Sequence, residues 1–225
     1  MHTEYHCHIL PGIDDGSDSV DTSLGMLAIM QKQGIGRIIA TPHFYAHREQ
    51  SAENYLAKRE AAFGRIKAKS PISDIRLGAE VAIEHGISDL PGIEKLAFEG
   101  TDMILLELPY RGYASWMTEE IYNIAAGFHL RVILAHVHRY LAFYSKSEMQ
   151  TILSANVIFQ VNNEAFGSWK ERRFVKQLIA EGKQIVFGSD AHNLDDRSPN
   201  WDLTLRKCNP DIIAASDRVL DQHIR

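Results

Sequence analysis

Short apolar runs recur along the chain, each closed by a polar residue and followed by a longer stretch with helical spacing. The runs at 37–42, 75–79, 103–106, 132–135 and 184–189 are brief and almost uniformly apolar. They predict buried parallel strands, which lack the in-and-out alternation of half-exposed sheets. An entry strand and one further run complete the set, so the predicted strands cover 3–7, 36–41, 75–80, 102–107, 131–135, 156–161 and 184–188. Helices are predicted between them. Over 20–33, Leu24, Leu27 and Ala28 share one face and Gly34 supplies the stop. Over 52–68, Tyr55, Ala62, Phe63 and Ile66 form the inner side. A short helix is predicted at 91–98 and longer ones at 116–127, 147–154 and 170–181. The tail from Trp201 is expected to be helical in two pieces, broken by Asn209-Pro210.

The residues that close the apolar runs are unusual in kind. Just past the strands stand His6-Cys7-His8, His43, Glu80, Glu107, His136 and Asp190-Ala191-His192. In α/β folds the carboxyl ends of the strands are where active sites gather. His6 and His8, two apart on a strand, point to the same side, and Asp190 and His192 repeat the spacing. Asp14 lies in the turn-rich loop Pro11–Ser17, within reach of the same edge. A lone histidine or glutamate past a strand is more often a surface, capping or ion-paired residue. The joint pattern is what points to metal, because unpaired charges would otherwise converge on one place. His6, His8, Asp14, His43, Glu80, Glu107, His136, Asp190 and His192 exceed what one tetrahedral zinc takes and fit two or three ions. Ligands on nearly every strand favour a closed barrel, which brings all strand ends to one mouth, over an open sheet with a single crevice. The expected fold is therefore α/β, a distorted seven-stranded βα barrel formed as one domain over residues 1–225.

Bulk properties narrow the functions. At 225 residues and 45% hydrophobic, the chain suits one well-buried domain. A formal charge of −5 argues against a general nucleic-acid or membrane-surface binder. No apolar stretch approaches the ~18 residues of a membrane span, and Met1–Tyr5 lacks the pattern of a signal peptide. With only Cys7 and Cys208 there is no disulfide framework, and a reducing cytoplasm is expected. Neither cysteine is followed six positions later by arginine, since Ile13 and Ala214 stand there, so cysteine-dependent phosphatase chemistry is excluded. No G-x-S-x-G elbow and no G-x-x-x-x-G-K-[ST] loop occurs.

His6-Cys7-His8-Ile9-Leu10-Pro11-Gly12-Ile13-Asp14-Asp15-Gly16, Thr41-Pro42-His43, Gly78-Ala79-Glu80, Leu106-Glu107-Leu108-Pro109 and Ser189-Asp190-Ala191-His192-Asn193 occur in order. Together they resemble the polymerase-and-histidinol-phosphatase (PHP) family, in its bacterial protein-tyrosine-phosphatase branch associated with capsule and exopolysaccharide synthesis. The resemblance covers about residues 3–197. It implies a barrel with a trinuclear centre of manganese, iron or zinc. Carried over by position, it gives His6, His8, Glu80 and Asp190 to one ion. Glu80, Glu107 and His136 go to a second, and Asp14, His43 and His192 to a third. It also implies that Arg139 and Arg197 hold the substrate phosphate, which suits the bidentate guanidinium fork. The implied reaction is in-line attack of a metal-bound hydroxide on a phosphotyrosine, by resemblance in the tail of a tyrosine autokinase that regulates polysaccharide export. Two alternatives keep the same residues: a phosphatase of a small phosphomonoester such as histidinol phosphate, and a non-catalytic, metal-stabilised regulatory domain. One segment departs from the pattern: where that branch reads His-Pro-Glu-Arg, this chain reads His136-Val137-His138-Arg139, and His138 is expected to face solvent. The stretches Phe44–Arg48 and Pro109–Tyr113 place aromatic and basic side chains after ligand-bearing strands, suited to a phosphotyrosine ring or peptide.

Overall fold

A computed structural model of the chain describes residues 1–49 and 51–225. Among these residues nine short strands run parallel: β1 (His2–Cys7), β2 (Ile35–Ala40), β3 (His43–Phe44), β4 (Asp74–Leu77), β5 (Glu80–Ala82), β6 (Met103–Glu107), β7 (Arg131–Leu134), β8 (Ile158–Asn162) and β9 (Ile185–Gly188). They form a three-stranded sheet in the order β1-β2-β4 and a six-stranded sheet in the order β3-β5-β6-β7-β8-β9. The expected strands at 36–41 and 75–80 are each interrupted. Pro42 has no N–H for a ladder, and its carbonyl accepts from the Glu80 N–H (3.0 Å) and the Tyr55 hydroxyl (2.7 Å). The chain therefore steps sideways between β2 and β3, and again between β4 and β5. The outer strand of each sheet meets the other edge to edge: Asp190 N–H donates to the His6 carbonyl (2.7 Å) and His8 N–H to the Ala191 carbonyl (2.9 Å).

Helices α1 (Val20–Lys32), α2 (Ala52–Gly64), α3 (Ser115–Phe128), α4 (Lys146–Ser154) and α5 (Trp169–Ala180) separate the strands, and α6 (Asp202–Lys207) and α7 (Pro210–Gln222) form the tail. Local signals explain their limits. Ser19 caps α1, Ser145 and Glu148 form a capping box on α4, and Asn209 caps α7 with Pro210 in its first turn. The predicted helix at 91–98 holds only a four-residue 3-10 turn, Ile93–Leu96, because a window that short does not offset helix nucleation.

The strands are apolar because both faces are covered. Leu106, Leu134 and Phe159 belong to the large cluster under the helices. The alternate residues Tyr5, Leu105, Ile133, Ile158 and Val186 form a second cluster with Val219 and Leu220 of α7. That helix is fastened by the Tyr5 hydroxyl, which donates to the Ser216 carbonyl and accepts from Leu220 N–H, both at 2.8 Å. The tail also reaches the strand ends. Trp201 is fully buried, and its Nε1–H donates to Glu4 Oε2 at 2.6 Å. Glu4 further accepts from the backbone N–H of His6 (3.0 Å) and of Ser189 (2.8 and 3.0 Å). Burial raises its pKa, and these donors oppose the rise. Trp201→Phe removes the indole donor, and a bond to a buried carboxylate contributes roughly 1.5–3 kcal/mol. Chemical denaturation of that variant is expected to show a loss of about 2 kcal/mol.

Candidate metal centre

The end of each strand delivers one or two polar side chains to a common point. His6 and His8 flank Cys7, whose side chain is turned away and buried, with Sγ 3.6 Å from the Ile39 carbonyl. Close backbone approach makes room for the pair. A Cβ on Gly16 would lie 2.4 Å from His8 Cβ, and one on Gly188 would lie 2.8 Å from His6 Cβ. His136 and Asp190 sit at φ 30° and 52°, a left-handed backbone that non-glycine residues adopt at a cost and that is concentrated at functional sites.

Three contiguous groups result, their ligand atoms within 4.8 Å of one another in each. In the first, His6 Nε2 lies 3.1 Å from Glu80 Oε2 and 3.5 Å from Asp190 Oδ1, and His8 Nε2 lies 3.3 Å from each of those oxygens. The two Nε2 atoms face each other at 3.2 Å. The second joins His43, Glu80 and Glu107, with His43 Nδ1 3.1 Å from Glu80 Oε2. His136 lies against it, its Nε2 2.8 Å from Glu80 Oε1 and 3.4 Å from Glu107 Oε1. The third joins His8, His43 and His192 with Asp15, whose Oδ1 lies 3.4 Å from His43 Nε2 and 3.6 Å from His192 Nε2. Asp14 stands one layer behind. Its carboxylate accepts from His8 Nδ1–H (2.7 Å), His43 N–H (2.9 Å) and Gly16 N–H (3.0 Å).

Two observations test whether divalent cations fit. Glu80 Oε2, His43 Nδ1 and His192 Nε2 are buried without a hydrogen bond. The 3.1 Å approach of the first two lacks hydrogen-bond direction, so the atoms converge on shared space instead of on each other. The tautomers agree. His8 Nδ1 faces the Asp14 carboxylate and His192 Nδ1 faces the Asp190 carbonyl at 2.9 Å, and both are acceptors only. His6 Nδ1 faces Gln160 Oε1 at 3.1 Å, an atom that also accepts from His136 N–H at 2.6 Å. Each Nδ1 must therefore carry its proton, which leaves Nε2 as the lone pair aimed inward. Divalent cations with nitrogen and oxygen ligands fit this set.

The electrostatics of the metal-free chain agree. Burial opposes protonation of His8, yet the Asp14 charge and the bonds to Asp14, Asp190 and Glu80 hold its pKa well above the ordinary value. Burial likewise opposes His136, but Glu107 and Glu80 raise it to about 9. Burial penalises the charged forms of Glu80 and Asp190, and neighbouring positive charge, His6 foremost, still holds both well below the carboxylate range. His192 is lowered to about 3 by burial and then by the charge on His8.

Both expected arginines reach this point. Asp190 Oδ2, the oxygen turned away from the histidines, takes Arg139 Nη1 at 2.7 Å and Arg197 Nη2 at 3.0 Å. Arg139 is further held by Glu164 Oε1, at 2.9 Å from Nε and 2.6 Å from Nη2. Asn162 Nδ2 donates to Asp190 Oδ2 at 3.1 Å. Gln160, Asn162 and Glu164 were not among the expected site residues. Their signal was the alternation Gln160-Val161-Asn162 closing the run at 156–161. His138 corrects the expectation of a solvent-facing ring: it is 1% exposed, with Nε2 3.6 Å from Glu164 Oε1 and no hydrogen bond to either ring nitrogen among the described residues. The 3-10 turn Val137–Ala142 rolls Val137, His138 and Tyr140 inward, and burial lowers the His138 pKa.

A family model described as capsular polysaccharide synthesis, CpsB/CapC, matches residues 2–215. Among curated relatives, the tyrosine-protein phosphatase YwqE of Bacillus subtilis is 28% identical over 204 residues, covering 87% of this chain and 79% of that protein. The tyrosine-protein phosphatase CpsB of Streptococcus pneumoniae is 25% identical over 215 residues, covering 87% and 85%. A crystal structure from work on these two, described as unique metal-dependent tyrosine phosphatases, superimposes with a TM-score of 0.76 at 21% identity, over 94% of this chain and 90% of that one. A mutant organophosphorus hydrolase shares the fold more loosely, with a TM-score of 0.53 at 12% identity over 96% and 90%.

Proposed function

Because the chain belongs to the CpsB/CapC capsular polysaccharide synthesis family, we propose that it is a metal-dependent protein-tyrosine phosphatase, a phosphoric monoester hydrolase. The observation that carries this most directly is the set of inward lone pairs. His6, His8 and His192 each have Nδ1 committed to an acceptor; the Nε2 atoms of His6 and His8 share one space with Glu80 and Asp190, and that of His192 shares another with His43 and Asp15. Residues 1–225 act as one phosphoesterase domain. Counting β2 with β3 and β4 with β5 as interrupted strands reduces nine segments to seven, and the contact between β9 and β1 supports a closed, distorted barrel. No helix among the described residues is long and apolar enough to cross a membrane. The proposed setting is the cytoplasm, where the substrate is a phosphotyrosine on a tyrosine autokinase that controls capsule or exopolysaccharide synthesis.

His6, His8, His43, Glu80, Glu107, His136, Asp190 and His192 would hold three divalent ions, drawn from manganese, iron and zinc, with Asp14 or Asp15 completing the third group. When bound, such ions supply a water acidified towards a pKa of ~7 and positive charge for the phosphate oxygens. The chain's own residues do the rest. Asp14 and Gln160 fix the tautomers of His8 and His6. Asp190 faces both ways, with Oδ1 towards the histidines and Oδ2 under the two guanidiniums, so it sets the distance between ligand cluster and phosphate clamp. Arg139 keeps N–H groups beyond those used by Glu164 and Asp190, and offers them to a phosphate dianion. Arg139→Ala is expected to raise KM for a phosphotyrosine peptide about ten- to a hundredfold, as loss of a charge-assisted bond implies. The fall in kcat should be smaller. Glu164→Ala, which releases only the buttress, should move KM the same way by less. Steady-state kinetics on the metal-loaded protein separates the two.

The decisive experiment is elemental analysis of the purified chain coupled to a substrate panel. A phosphotyrosine peptide should be cleaved far faster than histidinol phosphate. Equal or reversed rates would reject the tyrosine-phosphatase reading in favour of a small phosphomonoester.

A further inference from the structure

A cavity of about 590 Å³ opens beside the metal groups, with Glu107 in its lining. Two aromatic residues from different loops line it, and each leans on a histidine of the centre. Tyr45 stacks on His43, with ring centroids 5.2 Å apart and planes 30° apart. Tyr110 stacks on His136 at 5.6 Å and 24°, with its hydroxyl 3.1 Å from His136 Nδ1. His43 and His136 both touch the shared Glu80, at 3.1 and 2.8 Å. No ring contact joins Tyr45 to Tyr110 among the described residues, so the two faces leave a space between them at the edge of the centre. The charges of the lining are unequal in their partners. Glu84 is taken by His47 Nδ1 at 2.9 Å, and Glu107 lies against His136. Arg111 is exposed and has no ion pair among the described residues. The volume lies within the ~300–1,000 Å³ range of ligand pockets, so the cavity has room for several side chains beyond one phosphorylated group.

We propose that this cavity seats a phosphotyrosine peptide, with the substrate ring held between Tyr45 and Tyr110 and an acidic neighbouring residue of the peptide paired with Arg111. The proposal rests on the phosphatase reading and adds the part of the substrate that reading leaves open. Because Tyr45 lies on His43 and Tyr110 on His136, an aryl ester held at the centre would meet two aromatic faces that a short alkyl group would not reach. Offset stacking of this kind changes a dissociation constant about two- to tenfold per ring. An exposed arginine meeting one carboxylate contributes less, and its effect is screened by salt.

The test is calorimetric binding of phenylphosphonate and methylphosphonate to the manganese-loaded full chain, beside turnover of a phosphotyrosine peptide. The native protein is expected to bind the phenyl compound about tenfold more tightly. Tyr45→Leu and Tyr110→Leu should each cut that preference about two- to tenfold, and Tyr110→Phe should restore it. Arg111→Gln should narrow the KM advantage of a peptide with Glu beside phosphotyrosine over one with Gln, at low salt. Equal binding of the two phosphonates by the native protein would overturn the ring site and needs no variant that folds. An unchanged preference in both leucine variants would overturn it as well. Peptide turnover without aryl preference removes the ring site and leaves the phosphatase reading intact. Aryl preference without turnover does the reverse.

Discussion

Asp190→Ala is expected to abolish phosphomonoester turnover, with kcat/KM falling about a thousandfold or more. The size follows from how many partners one carboxylate serves. Oδ1 lies 3.5 and 3.3 Å from the Nε2 atoms of His6 and His8, and Oδ2 takes both guanidiniums and Asn162. Its loss removes one proposed ligand and leaves Arg139 and Arg197 without their common anchor. Each 1.36 kcal/mol of lost transition-state stabilisation is about tenfold in rate, and ion-mediated charge stabilisation is worth several kcal/mol. Elemental analysis of the same variant should show fewer ions per chain than the native protein. An Asp190→Ala chain that turns over at the native rate would contradict the assignment of the centre.

Stripping the protein with a chelator is expected to lower its thermal midpoint by about 10 °C, and manganese should restore it. An ion at a thousandfold excess over its Kd stabilises the folded state by about 4 kcal/mol. For a domain of this size each kcal/mol moves the midpoint by roughly 2–4 °C. The stripped protein should also become sensitive to alkali. Its His136 pKa of about 9 lies above the ordinary 6.5, so the folded state holds that proton more tightly than the unfolded chain. That contribution is complete below pH 6.5 and is lost as pH rises through about 9. His8, raised in the same direction, adds to it. His192, lowered to about 3, acts on the acid side of 6.5 and cannot mask the effect. Differential scanning of stripped and reloaded samples between pH 6.5 and 10 separates them, because a cation on the ring nitrogen takes the place of the proton that titrates. An unchanged midpoint after chelation would count against a metal centre.

The parts of this molecule legible in the sequence are those where one residue type carries one meaning. An apolar run that ends in His, Glu or Asp marks both a buried strand and the polar group at its tip, and His43, Glu80, Glu107, His136 and Asp190 were read that way. Residues whose role depends on a neighbour's conformation were not. Asp14 and Asp15 are adjacent, and only the turn of their loop decides that one braces His8 while the other faces His43 and His192. His138 looks like a loop residue until the 3-10 turn folds it under Glu164. Gln160 and Asn162 lie within a strand, where polar side chains are conspicuous only once the inward face is known. The sideways step at Pro42 was not read from the sequence, because it is a matter of pairing with β5.

The first group of ligands is drawn from residues 6, 8, 80 and 190, and Glu4 beneath it waits for Trp201. A ribosome makes the two histidines first and the aspartate about ten to forty seconds later, at ordinary rates of synthesis. Asp14 and Glu80 join the pair on the way, and the first group closes only once β9 and the aspartate after it have been made.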